Sequence, residues 1–517
     1  MTEFSRRNFL TSSGALALMA SQLNVVGALA GEVTAGLSAE RALMRDIYEA
    51  FQAAAETQPW TRGLANPISS RLETPIVPIE GQWPQEMAGV FYRNGPAQHE
   101  RAGERYAHWF DGDGMIQSYQ IGDGTVAHLG RMIETPKYKA EEMAGRFLRP
   151  AFGTAVDLQA GVRSADDINV ANISVLPMHD ELLALWEGGS ATSMDLDTLA
   201  TNGRKIWSAE TNGLPFSAHC KTDPDGTIWN FGTSNFSGQL VLYHISPTGQ
   251  LLNVKLHALE PNGMVHDFIV TERHLIVLVP PLRLDQPQST FIDAFSWQGN
   301  EPSAGLVFDK ETLSLQRRFE LEGDFHFHFG NAWEEADGTL MFDYCASNDA
   351  SFVKQNAQGL MRGSYDPAGD APTHHYQVTV SPNGTGVREL IGENAEFPRM
   401  DPRLVGLRNR FIYSVWRHES SESPFHHGIA KVDLTRGTRQ TFDYGSTIAA
   451  EEHVFIPRPG GMDDQDGWLL GTTLNMENGT TSLNVFNASH IADGPIASAR
   501  LPYATPLGFH GAFKQMT

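Results

Sequence analysis

The chain has 517 residues, 41% apolar and 19% charged, a composition that builds a sizeable core and excludes an intrinsically disordered protein. Its net charge of −23 argues against a nucleic-acid partner, which calls for a basic footprint. No run beyond the first 30 residues is long and apolar enough to span a bilayer, and the two cysteines, Cys220 and Cys345, rule out a disulfide scaffold. Two free, buried thiols are expected.

The N-terminus reads Ser5-Arg6-Arg7-Asn8-Phe9-Leu10, then a weakly apolar run that closes on Ala28-Leu29-Ala30. Paired arginines, a short apolar stretch and a small-x-small end describe a twin-arginine (Tat) signal over residues 1–30. The expectation is a periplasmic or otherwise exported protein handled by the Tat export machinery. Residues 31–517 are read as one domain, with 31–74 as a helical extension. Within it, Leu43, Met44, Ile47, Tyr48 and Phe51 share one face of a helix over 38–58 that Pro59 ends.

From about residue 75 the texture is β. Short runs rich in β-formers occupy 227–233, 240–246, 274–280, 340–345, 411–416, 468–474 and 482–488. Asx-Gly pairs begin at Asp123, Asn202, Asn212, Asp225, Asn262, Asp337, Asn383, Asp466 and Asn478, the dipeptides that close hairpins because they tolerate positive φ. The fold class is therefore all-β. So many antiparallel strands must hide their edges, as in a propeller or a large barrel. Two stretches, 139–149 and 281–297, fit caps over one end of the β body; their apolar residues are read as core ahead of membrane contact.

Four of the 19 histidines stand in suggestive contexts: His219 in Ser217-Ala218-His219-Cys220, His266 in Val265-His266-Asp267-Phe268, His328 in Phe327-His328-Phe329-Gly330-Asn331, and His510 in Phe509-His510-Gly511. They lie far apart in the chain and meet only if separate elements converge on an axis. Three glutamates accompany them: Glu187 in Trp186-Glu187-Gly188-Gly189, Glu396 in Glu396-Phe397-Pro398-Arg399, and Glu452 in Glu452-His453-Val454-Phe455. Earlier come Tyr92-Arg93-Asn94-Gly95-Pro96 and His108-Trp109-Phe110-Asp111-Gly112-Asp113-Gly114-Met115.

In this order, from about residue 75 to 515, these motifs resemble the carotenoid cleavage oxygenase family. The resemblance implies a seven-bladed β-propeller with a helical or loop cap over the iron-bearing face. It also implies one Fe(II) per chain, with His219, His266, His328 and His510 as metal ligands and catalytic residues. Glu187, Glu396 and Glu452 would support the ligands from behind. One histidine would lack such a carboxylate, and the sequence leaves open which. The donor set suits the metal: four neutral imidazoles bring no charge, and a six-coordinate ion keeps two positions open. His108, His326 and His453 lie near the motifs but are read as extras, since His328 and Asn331 carry the His-x-x-Asn spacing. The chain departs from the family at Cys220 and His453, each where proline is usual, and in the acidic turn Asp463-Asp464-Gln465-Asp466-Gly467. Cys220 could add a thiol near the iron.

The resemblance implies oxidative cleavage of an alkene by O2 into two carbonyl products. Stilbene-cleaving members place a lysine just before the first glutamate; here that position is Trp186, and Lys137 and Lys139 lie in a different context. A carotenoid or apocarotenoid, a hydrophobic polyene, is therefore the expected substrate, drawn from lipid by peripheral membrane contact of the caps. A lignostilbene-type dioxygenase and a non-cleaving isomerase or carotenoid-binding relative stay open. No H-E-x-x-H or G-x-S-x-G motif supports a hydrolase.

Overall fold

The computed structural model describes residues 30–156, 161–369 and 371–516; the expected signal thus lies outside the described residues up to position 29. Seven antiparallel sheets form a seven-bladed β-propeller. Blade 2 runs Ser174–Pro177, Leu182–Leu185, Thr192–Met194 and Thr201–Arg204. Blade 3 runs from Lys221–Thr222 to Leu251–Ala258, blade 4 from Ile269–Val270 to Leu315–Leu321, and blade 5 from Phe325–Glu334 to Gly386–Gly392. Blade 6 runs from Ala395–Arg399 to Thr438–Asp443, and blade 7 starts at Ile448–Pro457. The first strands of blades 4 to 7 touch in succession around the axis, and His510–Gln515 touches those of blades 7 and 2.

The two ends of the chain close the ring. Ile79–Gly81 adds the outer strand of blade 7 and Arg71–Thr74 the outer strand of blade 1. The last strand, His510–Gln515, pairs with Gly89–Gln98 as the inner edge of blade 1. The expected extension therefore gives way to propeller before residue 74. Apolar clusters fill the spaces between blades: Phe231 and Leu242 of blade 3 meet Val277 and Phe308 of blade 4, and Ile276 and Val307 of blade 4 meet Phe342 and Val378 of blade 5. Each such buried side chain contributes about 1.5–3 kcal/mol, which welds the blades into one core.

The seven expected strands are all present, shifted by a residue or two. The pairs at Asp123, Asp225, Asp337, Asn383 and Asn478 turn hairpins, and Asp123 itself adopts a positive φ of 51°. Asn202-Gly203 instead lies inside the strand Thr201–Arg204. Asn262-Gly263 does not turn either: Gly263 bridges to Arg283, and a Cβ there would crowd Val279 and the Leu282 carbonyl.

Helix α1 spans Ala30–Ala55 and buries Met44, Ile47 and Phe51, whereas Leu43 faces solvent. Stretch 139–149 contributes only part of helix α2, Pro136–Ala144, whose N-cap Thr135 hydroxyl accepts the Tyr138 N–H at 3.1 Å. Phe147 is buried but Met143 is 88% exposed. Stretch 281–297 is a hairpin, Leu282–Leu284 with Phe295–Trp297, and buries Leu282, Ile292 and Phe295 against Phe325 and Val353. The second stretch thus buries Leu282, Ile292, Ala294 and Phe295 in the protein, whereas the first buries only Phe147 among its apolar residues. Among the described residues no helix is long and apolar enough to cross a membrane.

Candidate metal centre and cavity

His219 and His266 sit in the loops that enter blades 3 and 4, His328 lies on the first strand of blade 5, and His510 opens the final strand. The propeller brings all four together, with one ring nitrogen from each within 4.8 Å of the others. None is more than 9% exposed. Nε2 of His219 stands 2.9 Å from Nε2 of His266, which stands 3.2 Å from Nε2 of His328. Nitrogens about 2.1 Å from a shared metal are about 3.0 Å apart at right angles and about 3.4 Å apart at the tetrahedral angle. Both spacings fall within the range that ligands of one shared ion would take. His108, His326 and His453 lie outside the cluster. The His108 Nε2 meets the Val353 carbonyl, His326 is held by Asp324 and the Leu278 carbonyl, and His453 spans the Glu451 carbonyl and the Tyr444 hydroxyl.

Local sequence explains the aim of the rings. Strand Phe325–Glu334 changes register on both sides of Phe329, and the first strands of blades 6 and 7 do so at Glu396/Arg399 and Ala450/His453. Such bulges re-aim side chains next to active sites. In blade 5, Asn331 N–H donates to Asp343 Oδ1 at 2.9 Å, while Gly330 leaves room for that carboxylate, which a Cβ would overlap. In blade 6, Phe397 takes a positive φ of 54°, its N–H donates to Glu396 Oε2 at 2.6 Å, and its ring stacks on His328 at 4.8 Å. The early signature latches the last of the clustered histidines. Asn94 pairs with His510 across the strands, and its amide donates to the Ala171 and Ser174 carbonyls. Arg93 reaches the carbonyls of Phe509 and Glu452.

Each expected glutamate lies behind a ring. His266 Nδ1 contacts Glu187 Oε1, His328 Nδ1 donates to Glu396 Oε2 at 2.6 Å, and His510 Nδ1 donates to Glu452 Oε1 at 2.9 Å. Among the described residues, the clustered histidine without a carboxylate behind it is His219. A proton held on Nδ1 leaves the Nε2 lone pair free to bind a metal. Burial, followed by the neighbouring imidazoles, holds His219 and His328 well below the ordinary histidine pKa. Burial lowers His510 to about 4 although Glu452 opposes it. His266 is raised, because Glu187 outweighs the effect of burial. Burial lifts Glu396 to about 7. The lowered values keep His219, His328 and His510 in the neutral form that a metal-ligating imidazole requires.

Above the cluster lies a cavity walled by Trp109, Phe110, Phe152, Trp186, Phe327 and Phe509, with His266, His328 and His510 in its floor. These aromatics pack edge-on, Phe110 against Phe327 at 6.0 Å and against Phe509 at 5.4 Å. Most of this wall escaped sequence reasoning, although the alternation Phe325-His-Phe327-His-Phe329 marks one strand of it. Lys137 is wholly buried in an ion cluster with Glu141 at 2.9 Å and Asp113 at 3.5 Å, so its charge is already matched inside the protein; Lys139 faces solvent. Neither cysteine is paired. Cys220 packs with the apolar residues between blades 2 and 3 and is not part of the ligand cluster.

Residues 65–515 match the family described as retinal pigment epithelial membrane protein, that of the carotenoid cleavage oxygenases. The chain belongs to this family. It is 29% identical over 481 residues to apocarotenoid-15,15'-oxygenase of Synechocystis, covering 89% of this chain and 96% of that one. It is 27% identical to lignostilbene-α,β-dioxygenase isozyme III of Sphingomonas paucimobilis, covering 87% and 95%. The solved structure of cobalt-substituted Synechocystis apocarotenoid oxygenase superposes with a TM-score of 0.81 at 26% identity, covering 89% of this chain and 99% of that one. The relatives are oxygenases by name, and this chain has their propeller and a four-histidine cluster able to hold a metal.

Proposed function

We propose that this protein is an Fe(II)-dependent dioxygenase that splits one C=C bond of a carotenoid or apocarotenoid, so that the alkene and one O2 yield two carbonyl fragments. The observation that carries this reading is the buried four-histidine cluster at the floor of an aromatic cavity. His219, His266, His328 and His510 would hold one Fe(II). When bound, that ion supplies the redox chemistry that lets O2 react with a closed-shell alkene. Glu187, Glu396 and Glu452 keep the Nδ1 protons in place and the Nε2 lone pairs free. The ring faces along the cavity bind a flat polyene and exclude water from it.

Trp186 in the wall and the internal pairing of Lys137 favour a polyene over a phenolic stilbene, since neither brings a free cation to a phenol oxygen. The test is incubation of iron-loaded protein in air with β-carotene, several apocarotenals and a hydroxystilbene, with carbonyl fragments identified by mass spectrometry. Polyene-derived aldehydes support the reading and locate the bond. Hydroxybenzaldehydes alone would move it to the stilbene class. Iron retention without fragments or O2 uptake would favour an isomerase or a carotenoid-binding protein. The same reading has residues 1–30 exporting the folded enzyme through the Tat pathway, which cell fractionation and the N-terminal sequence of the mature chain test.

A further inference from the structure

The three glutamates fix rings, but they do not fix the backbone that carries them, and none serves His219. A fourth acid joins the ligand-bearing segments. Asp267 follows His266 and is 2% exposed. Both its oxygens accept from Lys221 Nζ, at 2.9 Å to Oδ1 and 3.1 Å to Oδ2, and Lys221 lies two residues after His219. Asp267 Oδ2 also accepts the N–H of Phe329, the residue after His328, at 3.1 Å. Its Oδ1 accepts the N–H of Phe268 at 2.7 Å. One carboxylate therefore ties together the entrances to blades 3, 4 and 5, each within two residues of a clustered histidine. These are the same three histidines whose Nε2 atoms stand 2.9 and 3.2 Å apart.

Three imidazoles with converging lone pairs do not hold that arrangement by attraction, so the backbone must impose it. A buried carboxylate with a cationic and two backbone donors is a rigid strut, because charge-assisted hydrogen bonds are short and roughly twice as strong as neutral ones. We propose that Lys221 and Asp267 are positioning residues that preorganise His219, His266 and His328 for the metal. This rests on the reading that the four histidines hold one.

The test is a Co(II) titration of the full-length protein followed by its visible d–d absorption, alongside thermal unfolding of the metal-free protein. Lys221→Met should weaken Co(II) binding ~10–100-fold, as loss of support behind metal ligands does, and shift the absorption bands. Lys221→Arg, which keeps the cation, should restore both. A folded Lys221→Met protein with wild-type Co(II) affinity and spectrum, whatever its melting temperature, overturns the proposal. Should that variant not fold, Lys221→Met combined with Asp267→Asn removes both charges together; a folded double variant with wild-type affinity overturns the proposal equally. A wild-type protein that takes up no Co(II) would instead remove the metal reading, and the strut's role with it.

Discussion

Replacing Glu452 with Gln tests the support of His510, the last of the clustered histidines. Glu452 accepts from His510 Nδ1 at 2.9 Å, from Arg399 Nε and Nη2 at 2.7 Å each, and from Gly511 N–H at 2.8 Å. Burial would raise its pKa, but Arg399 and His510 outweigh burial and hold it well below the usual carboxylate range. The stabilisation from this ionised carboxylate is complete above the unfolded pKa of about 4.3 and is lost only as pH falls through the depressed folded value, so all of it is present at pH 7. The best-placed Gln keeps its oxygen towards His510 and Arg399 and turns its NH2 onto Gly511 N–H, leaving both of these buried donors without an acceptor at a cost of at least about 1–3 kcal/mol. Arg399 is 38% exposed and can rehydrate, so the loss stays below the ~3–5 kcal/mol of a fully buried broken pair. Metal affinity should fall ~10–100-fold, about 1.4–2.8 kcal/mol. Anaerobic Fe(II) competition against a chelator and guanidinium unfolding measure the two effects. A Glu452→Gln protein that binds Fe(II) as tightly as wild type would refute the assigned support.

His328→Ala should remove iron retention and product together, read by metal analysis and the carbonyl assay; a variant that keeps both would sink the site. Gly330→Ala should cost about 1–3 kcal/mol through overpacking, because its Cβ would overlap Asp343 in the bulge behind His328; an unchanged denaturation midpoint would contradict that. Acidification should destabilise the protein between pH 6.5 and about 5. Burial lowers His108 and His453 to about 4 and His128 and His426 to about 3, so the unfolded chain binds protons there that the folded one refuses. Asp111 and Glu396, raised by burial to about 6 and about 7, act oppositely. At about 1.4 kcal/mol per pH unit for each proton, these six groups alone leave a surplus of two protons and a loss of about 3 kcal/mol per pH unit, and in the metal-free protein His219, His328 and His510 act in the same direction. Urea midpoints that stay level across this range would overturn the balance.

The strands were legible because alternation and Asx-Gly turns are local signals, and the hairpins at Asp225, Asp337 and Asn478 formed where those pairs stand. The failures have local causes too. Asn262-Gly263 is the same dipeptide, but its glycine serves close approach to the Leu282 carbonyl. Leu43 fits a helical stripe, yet α1 rests on the cap along a narrower face. The seven site residues were reachable from motif contexts, whereas composition and spacing alone could not join His219 to a partner nearly 300 residues away. That the carboxylate-free histidine of the cluster is His219, that Phe397 stacks on His328, and that Asp267 bridges three segments all depend on blade geometry, which no local pattern encodes.

The most direct test is a single turnover of the iron-loaded protein with an apocarotenal under 18O2, with fragments reduced to alcohols before oxygen exchange. Dioxygenase cleavage should give two polyene-derived fragments, each carrying one 18O atom. Label in only one fragment would contradict the dioxygenase, and no fragments from any polyene, with iron bound at the four histidines, would contradict oxidative cleavage altogether.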